Sequence, residues 1–474
     1  MSALAEVPAV ESDSEPIGYA PSPAGPADGE PLTAAPSGPT EAPLRQGLHF
    51  SARPMNWLIG AHRRYGDVWT MRIPIHPVPF VVTCHPDHMA SLMKAKPADA
   101  PSLTGSSPLR PLLGPSSVLT SIGDRHLRQR KLLLPPFHGE AIQQYVEMIG
   151  TVADEEIDGW PIGTPFALAP RMQDVTLAVI MRAVFGMQGD VGSGTPEDQL
   201  RAAVRRVLGF TTKPLYRMME LRNAGHPEPL QPLRAMLSLI DRHMYRVIAA
   251  RRSDPLRGDR NDVLSMLLEA RDEDGEPLTD GELRDELMGL VLAGHETTAN
   301  SLAWAFERLL RTPDAYDRLR DEVRSGDSAA SAAYVEATIH ETMRSRPVIP
   351  IIVRSVKRRW RFGEYVVPAD TPIAVSIIGL HHRDDVYPRP QDYRPERFLD
   401  RKPGTYTWIP FGGGIRRCLG ATLAMAEQRV VLAAIARRTD LAAADPAPEA
   451  PRMRNVTMIP GHGGRIVVTD RRSG

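Results

Sequence analysis

The run from Thr279 to Arg311 constrains the fold more than any other stretch of the 474-residue chain. It opens Thr279-Asp280-Gly281-Glu282, the spacing at which a threonine hydroxyl and a glutamate cap each other's backbone donors. Leu283, Leu287, Leu290, Val291, Leu302 and Leu309 recur near helical spacing, and the run stops before Pro313. At 1.5 Å per residue such a helix spans roughly 50 Å, so it must cross an entire domain. Helical patterning dominates from about residue 124 onward, including Tyr334 to Ser345. Strand patterning is sparse: Val68 to Ile73, Pro79 to Thr83, Arg361 to Val367 and Thr371 to Ser376. The Ala-rich, acidic stretch Arg324 to Ala333 reads as loop or frayed helix end. The expected fold class is mainly α with a small β region.

At 42% hydrophobic and 24% charged residues, the chain has enough apolar content for a large core. Its formal net charge of zero gives no argument for nucleic acid as a partner. Residues 1–43 are rich in Pro, Ala, Ser, Gly and Glu and read as a disordered tail; 44–474 read as a single domain. The start lacks the basic-then-apolar pattern of a signal peptide, and no apolar run of about 18 residues predicts an integral membrane segment. Cys84 and Cys418 are too few and too far apart for a disulfide framework, which suits a cytoplasmic location. Cys84 reads as a packing residue at a strand end.

Cys418 is different. It lies in the glycine-rich loop Phe411-Gly412-Gly413-Gly414-Ile415-Arg416-Arg417-Cys418-Leu419-Gly420, directly before a helix-forming run. A thiol at a helix N-terminus, beside Arg416 and Arg417, is biased towards the thiolate and suits metal ligation. Phe411, Gly414, Arg416, Cys418 and Gly420 match the haem-binding loop of the cytochrome P-450 superfamily at every fixed position. The resemblance implies a P-450 fold, with a long central helix over haem b (iron protoporphyrin IX) and a thiolate loop beneath. It makes Cys418 the proximal iron ligand, Phe411 a shield for the sulfur, and Gly414 and Gly420 the sites of tight turns and close backbone approach.

Three further segments resemble the same family. Ala293-Gly294-His295-Glu296-Thr297-Thr298, inside the long helix, is similar to its oxygen-binding segment. By that resemblance Ala293 and Gly294 leave room for dioxygen, while Thr297 hydrogen-bonds it and Glu296 relays protons. Taken alone, Gly294 reads equally well as a packing glycine, and His295 reads as structural. Glu341 and Arg344, three residues apart, together with Arg397, match a buried network that locks the haem loop in place. His126 and Arg130, one helical turn apart, Arg354 and Arg416 match the partners of the haem propionates.

The implied function is a haem-thiolate monooxygenase that activates dioxygen to hydroxylate or otherwise oxidise a lipophilic small molecule. No flavin or iron–sulfur segment follows the loop, so electrons are expected from ferredoxin and ferredoxin reductase, or flavodoxin. Arg128, Lys131, Arg417 and Arg429 are candidates for a basic docking face. The loop Ala100 to Leu119 and the segment Val204 to Leu230, with Phe210, Tyr216, Met218 and Met219, are candidates for substrate contact. A peroxygenase on the same fold, or a haem sensor or carrier, would not need the acid–alcohol pair Glu296 and Thr297.

Overall fold

The computed structural model describes residues 18–74, 76–103, 107, 109–137, 140–187, 194–211, 219, 222–223, 226 and 228–472. Its helices are α1 Pro43–Ala52, α2 Pro54–Tyr65, α3 Pro86–Lys94, α4 Arg110–Leu113, α5 Gly123–Leu133, α6 Glu140–Asp158, α7 Leu168–Phe185 and α8 Pro196–Thr211. They continue with α9 Leu233–Ser253, α10 Val263–Glu269, α11 Asp280–Leu309, α12 Pro313–Arg324, α13 Ser328–Ser345, α14 Ile377–His381 and α15 Ala421–Arg438. Strands β2 Val68–Met71, β3 Phe80–Thr83, β8 Thr371–Ser376 and β5 Ile351–Val356 form one mixed sheet in that order. β3 and β8 run parallel; the outer pairs are antiparallel.

α11 is the long helix of the sequence reading. Thr279 caps it, accepting from the Glu282 N–H, and the Glu282 carboxylate accepts from the Thr279 N–H, a closed capping box. Its 30 residues span roughly 45 Å. Apolar side chains surround it: Leu283, Leu287, Val291, Leu302 and Phe306 lie in the largest core cluster with residues of α6, α7, α13 and α15. A helix buried on nearly all sides needs no single apolar stripe.

Three expectations change. The segment 18–43 is not a disordered tail. β1 Ala24–Pro26 pairs antiparallel with β6 Trp360–Phe362, which pairs with β7 Tyr365–Val367. Asp28 and Glu30 pair with Arg358 and Arg361, and Ala27 is buried. Composition hid this because a strap that docks through backbone hydrogen bonds and surface ion pairs needs few large apolar residues of its own. Residues 1–17 lie outside the described residues. Next, 328–333 is helix, because Asp327 caps α13 by accepting from the Ala329 and Ala330 N–H groups. Finally, β5 and the small C-terminal sheets went unread. β9 Thr439–Ala443 and β4 Phe166–Ala167 flank β12 Arg465–Arg471, while β10 Pro451–Arg454 and β11 Thr457–Pro460 form a hairpin. No helix of the described residues is long and apolar enough to cross a membrane.

Candidate active site

A cavity of about 440 Å³ lies between α11 and the glycine-rich loop that precedes α15. Cys418, Phe411 and Gly420 of the loop line it, as do Ala293, Gly294 and Thr297 of α11. His126, Arg130, Arg354 and Arg416 line the same space.

The loop is shaped by its glycines and by α3. Gly414 has φ +61, and a Cβ there would come within 2.3 Å of the Met93 carbonyl oxygen. At Gly413 an added Cβ would meet Met93 Sδ at 2.2 Å. Gly420 plays another part than a tight turn. Its φ is −83 and nothing lies within 4 Å of an added Cβ, so it borders open space as the N-cap of α15. The Cys418 N–H donates to the Phe411 carbonyl at 2.9 Å, closing the loop. Phe411 packs edge-on against Trp408.

Cys418 is exposed to the cavity. The surrounding protein nevertheless pushes its pKa up, against the opposing pull of the Gly420 N–H, Arg130 and Arg417. Desolvation by the surrounding protein therefore outweighs the helix-end bias.

The cationic side is uncompensated. Among the described residues, no carboxylate pairs with His126, Arg130, Arg354 or Arg416, yet His126 is 3% and Arg354 8% exposed. Burial, then the charges of Arg416, Arg130 and Arg354, lower the His126 pKa to about 3, so it is a neutral donor. Burial brings Arg354 and Arg416 down to about 10. Their hydrogen bonds go to neutral acceptors: Arg416 to the Val118 and Ser121 carbonyls at 3.1 and 2.5 Å, Arg130 to the Arg417 carbonyl at 2.8 Å. Four donors with no countercharge, facing a cavity with an open thiol, fit a flat dianionic metal chelate such as haem b.

On α11 the Thr297 hydroxyl donates to the Ala293 carbonyl at 2.7 Å. Two neighbouring carbonyls are also taken by side chains, His295 by Thr176 of α7 at 2.7 Å and Glu296 by Asn300 at 2.8 Å. Side-chain bonds to successive carbonyls loosen a helix locally. Gly294 lines the cavity and also packs closely: an added Cβ would lie 2.9 Å from Ile180 Cδ1 on α7. The Glu296 carboxylate accepts from Arg454 Nε and Thr457 Oγ1 of the C-terminal hairpin, both at 2.8 Å. His295 is buried, and burial lowers its pKa to about 4, in keeping with a structural role.

Glu341, Arg344 and Arg397 do meet. Arg344 grips Glu341 with Nε and Nη2 at 2.7 and 2.8 Å, and both side chains are fully buried. Arg397 Nε stands 3.5 Å from the same carboxylate. The chain continues through a residue the sequence reading missed. Arg344 donates to the His381 carbonyl, His381 Nδ1–H donates back to the Arg344 carbonyl, and His381 Nε2 accepts from the Ile409 N–H at 3.0 Å. Ile409 lies two residues before Phe411, so the network reaches the loop.

The basic face is narrower than expected. Arg128 is held by Asp272 and Glu282, Lys131 by Glu273, and Arg429 by Glu336. Phe210 and Met219 belong to a small core with Leu233 and Leu237 rather than to the cavity. Tyr216 and Met218 lie outside the described residues. Cys84 is buried as expected, but not among apolar groups alone: its Sγ is 3.1 Å from His62 Nδ1 and 3.7 Å from Asp67 Oδ1. Burial pushes that thiol up, and Arg383 already pairs with Asp67.

A family model described as Cytochrome P-450 matches residues 36–463. Two Mycobacterium tuberculosis proteins, assigned as cytochrome P-450 137 and cytochrome P-450 135B1, are 39% and 36% identical to this chain. The alignments cover 85% and 90% of this chain and 83% and 88% of those proteins. Among solved structures, a cyanobacterial CYP120A1 with retinoic acid bound superposes with a TM-score of 0.77 at 20% identity, covering 93% of this chain and all of that one. The crystal structure of a cytochrome P-450DA heme domain gives 0.78 at 21% identity, covering 93% and 98%. These two likenesses are ones of fold.

Proposed function

The chain belongs to the cytochrome P-450 family, haem-thiolate monooxygenases with haem b as cofactor, and on that premise we propose that Cys418 is the proximal iron ligand and that Thr297 and Glu296 manage protons on the opposite side. The observation that carries this reading is that Cys418 and Thr297 line one cavity together with His126, Arg130, Arg354 and Arg416, which have no countercharge among the described residues. Those four would hold the haem propionates. When bound, haem supplies the redox and dioxygen-activating chemistry; the protein positions, excludes water and moves protons.

The Gly420 N–H, directed at Cys418 Sγ, tempers the sulfur's electron donation. Ala293 keeps the wall low where dioxygen must fit. Thr297 can offer its hydroxyl to dioxygen by giving up the Ala293 carbonyl. Glu296 starts outside the cavity lining, tied to Arg454 and Thr457, so it delivers a proton by exchanging those partners. Val118, Leu119, Ile349 and Ile352 give the cavity an apolar surface suited to a lipophilic substrate. Electrons come from separate donors, a ferredoxin with its reductase or a flavodoxin, approaching on the side of Arg417. The two unpaired cysteines suit work in the cytoplasm.

The test is the carbon monoxide difference spectrum of the reduced protein. The long-wavelength thiolate band is expected in the wild type and absent in Cys418→Ala. Turnover should need NAD(P)H and redox proteins, and Thr297→Ala should divert reducing equivalents to hydrogen peroxide. A wild type without that band, or one that turns over with peroxide alone, overturns the reading.

A further inference from the structure

Beyond the groups assigned to the chemistry, two acidic side chains line the cavity: Glu427 of α15, which lies beside the cysteine loop, and Glu286. Glu286 sits on α11, and offsets of 4, 7 and 11 residues put Leu290, Ala293 and Thr297 on its helical face. All four line the cavity. At 1.5 Å per residue, Glu286 is roughly 10 Å along the helix from Ala293 and roughly 16 Å from Thr297. It therefore marks the end of the cavity remote from the reacting position.

Glu286 is 1% exposed. Both of its oxygens share a single donor, the Val118 N–H, at 2.9 and 3.0 Å. A carboxylate has about four acceptor positions, so most of its capacity is unused. Among the described residues it is in no ion pair. Arg284, two residues away, is committed to Asp241 and Asp285, and Arg416 to the Val118 and Ser121 carbonyls. The charged neighbours that act on Glu286 are Asp285 and Glu282, which have its own sign. Burial is the larger influence, and together they push its pKa up to about 8. An acid in this position lacks a paired cation, and Val118, Leu119 and Leu290, which line the cavity with it, are apolar.

We propose that this end of the cavity selects a lipophilic amine: Glu286 receives the protonated nitrogen of an elongated substrate whose far carbon is oxidised beside Ala293 and Thr297. The inference rests on the haem-thiolate reading of the same cavity. A carboxylate ligand would add a second acid beside Glu286 and bring no cation. An alcohol would gain a neutral hydrogen bond but leave the acid without a counterion. An ammonium group supplies both donor and charge, and charge-assisted hydrogen bonds are about twice as strong as neutral ones. Below about pH 8, taking up the ammonium requires Glu286 to release its proton, so affinity rises with pH up to that value.

The haem-loaded full chain is titrated with dodecylammonium, dodecanol and dodecanoate, by equilibrium dialysis and by the shift of the Soret band. The wild type should bind dodecylammonium about tenfold or more tightly than dodecanol, and dodecanoate most weakly. The Soret band should move to the blue, because the nitrogen sits at Glu286 and away from the iron. E286Q can still accept from the Val118 N–H, so a purely structural role would survive it. That variant should lose the ammonium preference and its rise with pH while keeping the wild-type affinity for dodecanol. An ammonium preference that persists in E286Q, a wild type without one, or a red shift from nitrogen on iron overturns the inference. The dialysis comparison decides the matter whatever the carbon monoxide band does, so the two readings fail separately.

Discussion

Glu341→Ala tests whether the network behind the loop is what holds it. Glu341 accepts two charge-assisted bonds from Arg344 and one from the Arg394 N–H at 2.8 Å, with Arg397 Nε at 3.5 Å. Both Glu341 and Arg344 are inaccessible to solvent. Truncation leaves a buried guanidinium with only the His381 and Asp392 carbonyls as acceptors, a class of change that costs about 3–5 kcal/mol. Part of that loss should reach the loop, because His381 shares its carbonyl with Arg344 and its Nε2 with the Ile409 N–H. Denaturant unfolding of wild type, Glu341→Ala and Glu341→Gln gives the stability difference, and haem transfer to an acceptor protein gives retention. The amide of Glu341→Gln keeps one carbonyl acceptor, so it should fall between the other two. A loss under about 1 kcal/mol in Glu341→Ala, or a large loss with haem transfer unchanged, refutes the argument.

Three more expectations come from single contacts. Gly294→Ala should cost about 1–3 kcal/mol through overpacking against Ile180; adding Ile180→Val, which removes the Cδ1 that lies 2.9 Å away, should restore most of it in the same unfolding assay. Arg354→Met should stabilise the apoprotein, by removing a buried charge without a countercharge, yet speed haem loss; if both move the same way, the cluster is not held for an anion. Burial raises the Glu286 pKa from 4.5 to about 8, so its contribution to stability is full below pH 4.5 and is lost as pH rises through about 8. The stability of the wild type relative to E286Q should therefore fall across that window, by on the order of a few kcal/mol, and a flat difference would contradict the burial argument.

Much of the architecture was legible because it depends on short-range rules. The capping box at Thr279 and Glu282, the proline beyond the helix, and the spacing from Phe411 to Gly420 each express local geometry. What stayed hidden depends on partners distant in sequence. Nothing around Glu296 announces Arg454, and nothing around Arg128 announces Asp272. The neutral carbonyl acceptors of Arg416 are backbone atoms, which residue types cannot reveal. That Gly294 also packs against Ile180 was hidden because its neighbour on α7 is not visible from α11. The strap at 18–43 was misjudged for the same reason: its partners are a strand and two arginines found in 358–362.

The backbone of Val118 has the cysteine loop on one side and α11 on the other. Its carbonyl takes Arg416 and its N–H takes Glu286. The segment 114–121 thus works as a yoke, with Ser116 harnessed to Asp285 in parallel. On the proposed reading, whatever occupies the remote end of the chamber would pull on the same stretch of backbone that holds Arg416. Filling one end and gripping at the other would then share one short anchor, between α11 and Arg416.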